Sequence, residues 1–269
     1  MPHNQTVLGN LLKGKNLDSF LKRNRVAFSG VSSQNAKRGI ISKFELSPLK
    51  PHTRRPQSML IFDRDIISIL ETSYKTLTYC NLVSCMFITG LTFDALSNAR
   101  HLQWLCLSNN QHLLDRSAIS IVNNCTGLLH LNISKCRKLT ELTMDAIAGS
   151  LACLESLDVS YNSQMIANFR NPAMLKNMGK LRCLDVSYCA FSDYKLLSVM
   201  KHLTNLETLS LEGCSLLTME GLTSILLNSQ TSLRKVIVSK TEIERDNQDD
   251  LKQFERHKGP GIELFFNRE

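Results

Sequence analysis

The sequence predicts an α/β solenoid, with a curved parallel strand ladder on one side and convex helices on the other. Two observations predict it. A nine-residue phrase, apolar at its first, fourth and sixth positions, recurs seven times at nearly constant spacing. Each copy leads into a stretch with apolar residues at helical spacing. A third observation bounds the class. Hydrophobic residues make up 43 % of the 269-residue chain, enough for a continuous core. No apolar run approaches the roughly 18 residues that span a bilayer, so no transmembrane segment is expected.

Each element is read off the phrase. LTYCNLVSC begins at Leu77, LQWLCLSNN at Leu102, LLHLNISKC at Leu128 and LESLDVSYN at Leu154. LRCLDVSYC begins at Leu181, LETLSLEGC at Leu206 and LRKVIVSKT at Leu233. The intervals are 25, 26, 26, 27, 25 and 27 residues. Alternation at positions four and six places both side chains on one face of a short strand. Cys80 and Val236 stand in at the fourth position. The Cys or Asn at the ninth is expected to turn the chain inward, satisfy backbone groups of the bend and stack from copy to copy. Apolar anchors come next at Ile88, Leu113, Leu139, Met165 and Leu217. DALSNAR, SAISIVNNC, MDAIAGSLAC and MEGLTSILLNS then read as one-sided helices. In the fourth full unit, MIANFRNPAMLKNMGK, Pro172 breaks a regular helix. No unit buries its face alone, so the units must stack.

Weaker copies flank the seven. ISKFELSPL from Ile41 precedes an insert containing PHTRRPQ, and Ile262 with Leu264 falls one period after the last phrase, as a closing strand. Between them Asp246 to His257 reads as a polar helix with a narrow apolar side at Leu251 and Phe254. The domain reading is a basic, flexible extension over 1–40 and a solenoid over 41–269, with its C-terminal cap from about 240.

The phrase, together with the apolar anchor and helical stretch after it, resembles the leucine-rich-repeat superfamily over residues 41–264, and within it the cysteine-containing subclass. That resemblance implies protein recognition. The subclass is typified by F-box substrate receptors of ubiquitin ligases, and includes F-box-less relatives such as the antagonist-of-mitotic-exit-network protein. A shorter mitochondrial relative resembles ATP synthase subunit s. An F-box needs a helical, LP-opening segment ahead of the repeats, and residues 1–40 are polar and basic without it.

The net charge of +8 is concentrated. Residues 1–60 carry eleven Lys/Arg against Asp18 and Glu45, a net of +9, while the other 209 residues net −1. A uniformly basic nucleic-acid-binding domain is therefore not expected. Three readings of the extension stay open: a disordered tail, a binding arm containing KRNR (Lys22 to Arg25), or a mitochondrial presequence with Val7, Leu8, Leu11 and Leu12. There is no apolar signal block, so the nine cysteines are expected to be reduced thiols in the cytoplasm or nucleus, with the mitochondrion as alternative. None forms a CxxC pair, so neither metal nor cofactor is expected. Cys85, Cys136, Cys189 and Cys214 sit at the ninth position and read as packed structural thiols, since no His stands beside them as a base.

The candidate site is the strand face. Phrase positions two, three, five, seven and eight are expected to point away from the core. Tyr79, Trp104 and His130 share the third position and form an aromatic column. Glu155, Asp158, Tyr161, Asp185, Tyr188, Glu207 and Glu212 form an acidic band with two tyrosines. Arg234, Lys235 and Lys240 make the last unit basic. Aromatics on a polar face are interface anchors, and the acidic middle favours a partner with a basic segment. Asp158 and Asp185 stand at equivalent positions about 5 Å apart, which raises a general acid–base pair. The face is open, without lid or pocket, so the expectation is a non-enzymatic module with no small-molecule substrate. The resemblance implies substrate recognition in SCF-type ubiquitin-dependent degradation. The alternative is a mitochondrial structural or assembly subunit.

Overall fold

The computed structural model describes residues 26–27, 42–46, 61–167, 169, 171–228, 232–241 and 262–265. Ten strands and seven α-helices among them fall in strict chain order. β1 (Val26–Ala27) and β2 (Lys43–Leu46) come first, then α1 (Asp63–Ser73), β3 (Tyr79–Asn81), α2 (Gly90–Leu96), β4 (Trp104–Cys106), α3 (Asp115–Asn124), β5 (His130–Asn132) and α4 (Glu141–Ser150). β6 (Ser156–Asp158), α5 (Ser163–Ala167), a 3₁₀ helix (Pro172–Asn177), β7 (Cys183–Asp185), α6 (Asp193–Met200), β8 (Thr208–Ser210), α7 (Met219–Asn228), β9 (Lys235–Ile237) and β10 (Glu263–Phe265) complete them. All strands join one sheet in the order β1 to β10.

Every pairing from β2 onward is parallel, and equal phrase positions face each other: Tyr79 with Trp104, Trp104 with His130, Ser156 with Cys183. Each full unit contributes three strand residues, phrase positions three to five. The fourth-position side chains, from Cys80 to Val236, are all buried. With the first- and sixth-position residues and the anchors they form one core running between strands and helices from Phe44 to Val238. Strands stack at about 4.8 Å but helices need 8–10 Å, so the ladder must curve with its strands inside.

The strands are short because the eighth position is left-handed. Ser84, Asn109, Lys135, Tyr161, Tyr188 and Lys240 have φ between 54° and 62°, and Gly213 has 65°. That backbone costs a non-glycine residue about 1 kcal/mol. Hydrogen bonds offset it: the eighth N–H still reaches the next unit, as from Tyr161 to the Ser187 carbonyl at 2.9 Å. The ninth side chain then donates backwards to the sixth-position carbonyl of the preceding unit. Cys136 Sγ reaches Leu107 O at 3.1 Å, Cys189 reaches Val159 O at 3.5 Å and Cys214 reaches Val186 O at 3.3 Å. Asn162 Nδ2 reaches Ile133 O at 2.8 Å, and Asn110 Nδ2 bonds Leu82 O at 2.7 Å and Leu107 O at 2.8 Å. From Asn110 to Cys214, Cys and Asn thus interchange as one ladder of donors, whereas Thr241 bonds Val238 O of its own unit at 2.7 Å.

The helix side has a ladder of its own. Asp63, Asp115 and Asp193 open their helices and clamp the next unit's helix start. Asp115 accepts from Thr140 N at 2.9 Å and Oγ1 at 2.7 Å, and Asp193 from Thr218 at 3.0 and 2.8 Å. Asp63 holds Thr89 and Thr92 likewise. Burial alone would raise the Asp63 carboxyl, but these hydrogen bonds outweigh it and hold its pKa below the ordinary value. In the fourth full unit the helix stops at Ala167, Pro172 opens the 3₁₀ turn, and Lys195 Nζ from the next unit caps the freed carbonyls of Ala167 and Phe169.

Two differences from the sequence reading stand out. Val26–Ala27, inside the extension, pairs antiparallel with β2, where no strand was expected. The closing strand is present as β10. The seventh position does not face outward in most units: Ser134, Ser160, Ser187 and Ser239 are buried, and the hydroxyls of Ser134 and Ser187 are taken up by those of Ser108 and Ser210 on adjacent rungs at 2.8 Å. The expected cap helix at Asp246–His257 and KRNR lie outside the described residues.

Candidate protein-binding face

All ten candidate residues lie on the strand side, and all are half-buried. Tyr79 and Trp104 stack with ring centroids 4.1 Å apart and planes 9° apart. Their faces are thus spent on each other, and ring edges face the concave space. Lys43 on β2 lies 4.2 Å over the Tyr79 ring and is held by Glu45 at 3.5 Å. His130 comes after Trp104 in register. The column is therefore Lys43–Tyr79–Trp104–His130. Lys43 occupies the third position of the weak copy at Ile41, so extending the column one unit back would have found it. Burial, then the Glu45 charge, raises the Tyr79 hydroxyl pKa.

A second column runs along the eighth position. Tyr161 and Tyr188 stack at 4.3 Å with planes 12° apart, and Lys135 caps Tyr161 at 4.8 Å. Tyr188 Oη donates to Glu212 Oε1 at 2.9 Å, and Lys240 pairs with the same carboxylate at 3.1 Å. The column ends on Gly213, which has no β-carbon to strike the Tyr188 ring.

The acidic band is less uniform than its composition. Glu207 pairs with Arg182 at 3.2 Å, and Glu212 is tied as above. Glu155 stands half-buried just before β6. Asp158 and Asp185 are neighbours across β6 and β7. Both also brace their turns: Ser160 N donates to Asp158 at 3.0 Å and Ser187 N to Asp185 at 2.9 Å. Asn81 and Asn132 make the same turn bond at 3.2 and 3.0 Å. Short side chains with an oxygen at this spacing are turn-formers in their own right. Burial raises the Asp185 pKa, the charges of Asp158 and Glu212 add to it, and the Ser187 hydrogen bonds only partly oppose it.

Beyond His130 the third positions shrink to Ser156, Cys183 and Thr208. This opens a cleft of about 360 Å³ bounded by Trp104, His130, Asn132, Asp158 and Asp185. Among the described residues no Lys or Arg lines it. Sequence reasoning missed this recess. Its signal was the drop in third-position side-chain size after His130.

All nine cysteines are free thiols. Burial pushes those of Cys85, Cys125 and Cys189 up to about 12 and those of Cys106, Cys136 and Cys214 up to about 11. Thiols so placed are protonated at neutral pH and are poor nucleophiles. Cys136, Cys189 and Cys214 accordingly sit in the ladder as structural thiols, while buried Cys85 points its thiol at Val83 O of its own turn at 3.8 Å.

No protein-family model matches the sequence, and no curated protein matches it. Similarity is found among solved structures. A chain of the yeast Rad7 and Elc1 complex is 17 % identical, with a TM-score of 0.55, covering 64 % of this chain and 44 % of that one. An internalin, inlF of Listeria monocytogenes str. 4b F2365, is 20 % identical with a TM-score of 0.52, covering 98 % and 66 %. The leucine-rich repeat-containing protein LegL7 from Legionella pneumophila gives 15 % identity and a TM-score of 0.47 over 84 % and 91 %. The chain thus spans 44 % and 66 % of the first two. At these identities the likeness concerns the fold. A parallel ladder in chain order, one phrase per rung, and helices on the opposite side make this chain an α/β leucine-rich-repeat solenoid.

Proposed function

We propose that the chain is a non-enzymatic protein-interaction module that takes a partner on its concave strand face. One observation carries this reading. The Tyr79–Trp104–His130 column is held half-buried and in register beside a recess whose carboxylates lack a cation among the described residues. Rings locked by stacking lose little freedom on binding, so they act as preorganised anchors. The residue types that would suggest catalysis have other work: Cys136, Cys189 and Cys214 are buried, protonated ladder donors, and Asp158 and Asp185 brace turns.

The resemblance to the cysteine-containing subclass extends this to a recognition or adaptor role in SCF-type ubiquitin-dependent degradation, in the cytoplasm or nucleus. Ligase contacts would come from another chain. Capture of the full chain from cells tests that extension: co-purification of ligase linker subunits is expected, and their absence overturns it. A second reading rests on the acid-poor extension with Val7, Leu8, Leu11 and Leu12, namely a mitochondrial structural or assembly subunit resembling ATP synthase subunit s. N-terminal sequencing of the mature protein separates the two. An intact Met1 region removes the presequence version.

A further inference from the structure

The concave carboxylates differ in how they are neutralised. Glu45 has Lys43 at 3.5 Å, Glu207 has Arg182 at 3.2 Å and Glu212 has Lys240 at 3.1 Å. Asp158 and Asp185 have no cation beside them among the described residues, although the ladder register sets them on adjacent strands about 4.8 Å apart. Lys235, at the next third position after Thr208, lies over the Phe265 ring at 4.3 Å. Burial raises the Asp185 pKa, and the like charge of Asp158 in the same half-buried recess adds to it.

The recess is also built to receive something. Tyr79, Trp104 and His130 fill the third position on β3 to β5, then Ser156, Cys183 and Thr208 leave space over the two carboxylates. The carboxylates are fixed acceptors: Asn132 Nδ2 holds Asp158 Oδ2 at 2.7 Å, and Ser160 and Ser187 N–H groups hold the Oδ1 atoms. Among the described residues no third His, Cys, Asp or Glu completes a metal site. An organic cation fits better.

Resting on the concave-face reading above, we infer that this recess takes an arginine side chain from an extended segment of the partner, its guanidinium shared between Asp158 and Asp185. The guanidinium is planar, permanently charged and carries five N–H donors in a fan, so it can serve carboxylates on two neighbouring strands at once. An ammonium offers a single point of charge. Residues flanking the arginine then lie against Trp104 and His130, one to two strands away.

A random-peptide display library selected on the full chain tests this. Recovered peptides are expected to be enriched in arginine and to lose binding to Trp104→Ala. Asp158→Asn with Asp185→Asn keeps the oxygens that brace both turns but removes the charges. It should weaken an arginine peptide about tenfold to a hundredfold, the range for hydrogen bonds to charged groups. Lysine in place of arginine should bind more weakly, and citrulline should abolish binding. Carbon-13 NMR of the carboxyl groups should show the Asp185 pKa falling when peptide saturates the protein, a change a purely structural carboxylate does not make. Peptides that need Trp104 but show no arginine preference, or that bind the double Asn variant equally well, overturn the anchor and leave the concave face standing. Recovery of no peptide that depends on Trp104 overturns both. Tighter peptide binding by a full-length Arg23→Gln, Arg25→Gln variant overturns the choice of occupant, since the chain's own segment then fills the recess.

Discussion

Gly213→Ala should cost about 2.5–3.5 kcal/mol, most of it through one ring. Gly213 holds the left-handed eighth position of its unit at φ 65°. A β-carbon there would lie 2.5 Å from Cδ1 and Cε1 of Tyr188. No such contact survives, so the ring must leave. It cannot swing freely, because it is stacked on Tyr161 at 4.3 Å and tethered through its hydroxyl to Glu212 at 2.9 Å. A lost stack costs about 0.5–1.5 kcal/mol. The hydrogen bond to a part-exposed carboxylate adds about 1 kcal/mol, and the left-handed backbone adds about 1 kcal/mol for any residue with a β-carbon. Urea unfolding of the wild type, Gly213→Ala, Tyr188→Ala and the double variant separates these contributions. In the Tyr188→Ala background the glycine substitution should cost only the backbone contribution of about 1 kcal/mol. Equal cost in both backgrounds would refute the claim that the ring column requires glycine at its end.

Other expectations rest on the same ladders. Asn110→Ala removes buried bonds to Leu82 O and Leu107 O and should cost about 2–3 kcal/mol. Asn110→Cys should cost less than half of that, since thiols fill the equivalent rung at Cys136 and Cys189. Equilibrium unfolding compares the two, and equal losses contradict a shared donor ladder. Asp185 has a raised folded-state pKa, so its contribution to stability is full below its unfolded pKa and is lost as pH rises through the folded one. Asp185→Asn should therefore melt higher than wild type at neutral pH, with the gain vanishing in acid. Asp63 has the opposite sign: its lowered pKa supplies stability above the unfolded value, lost as pH falls through the folded one. Asp63→Asn should melt lower at neutral pH and converge with wild type in acid. Melting temperature against pH reads both, and parallel curves would contradict the assignments.

The ladder was legible because its cause is periodic. A leucine at position one and an apolar residue at position four recur in all seven full units, so seven strands could be placed from the phrase alone. The Tyr79–Trp104–His130 column was legible for the same reason. The features that escaped were aperiodic or lay one unit away. Val26–Ala27 joins the sheet antiparallel through backbone bonds, without a leucine phrase to mark it. The Asp115–Thr140 clamp joins residues 25 apart with no local signature. The buried seventh-position serines precede left-handed Lys or Tyr residues, types that do not advertise that conformation. The acidic band was over-read, because composition counts Glu207 and Glu212 as free charge while the fold pairs them with Arg182 and Lys240.

The central claim is that the partner meets the concave face. Quantitative affinity capture with wild type, with a Trp104→Ala, Asp158→Lys, Asp185→Lys triple variant, and with a helix-side Arg100→Glu control tests it most directly. Melting curves first establish that the variants are folded. The partner should be lost with the triple variant and retained with the control. Recovery of the same partners at the same level with the triple variant would contradict the account.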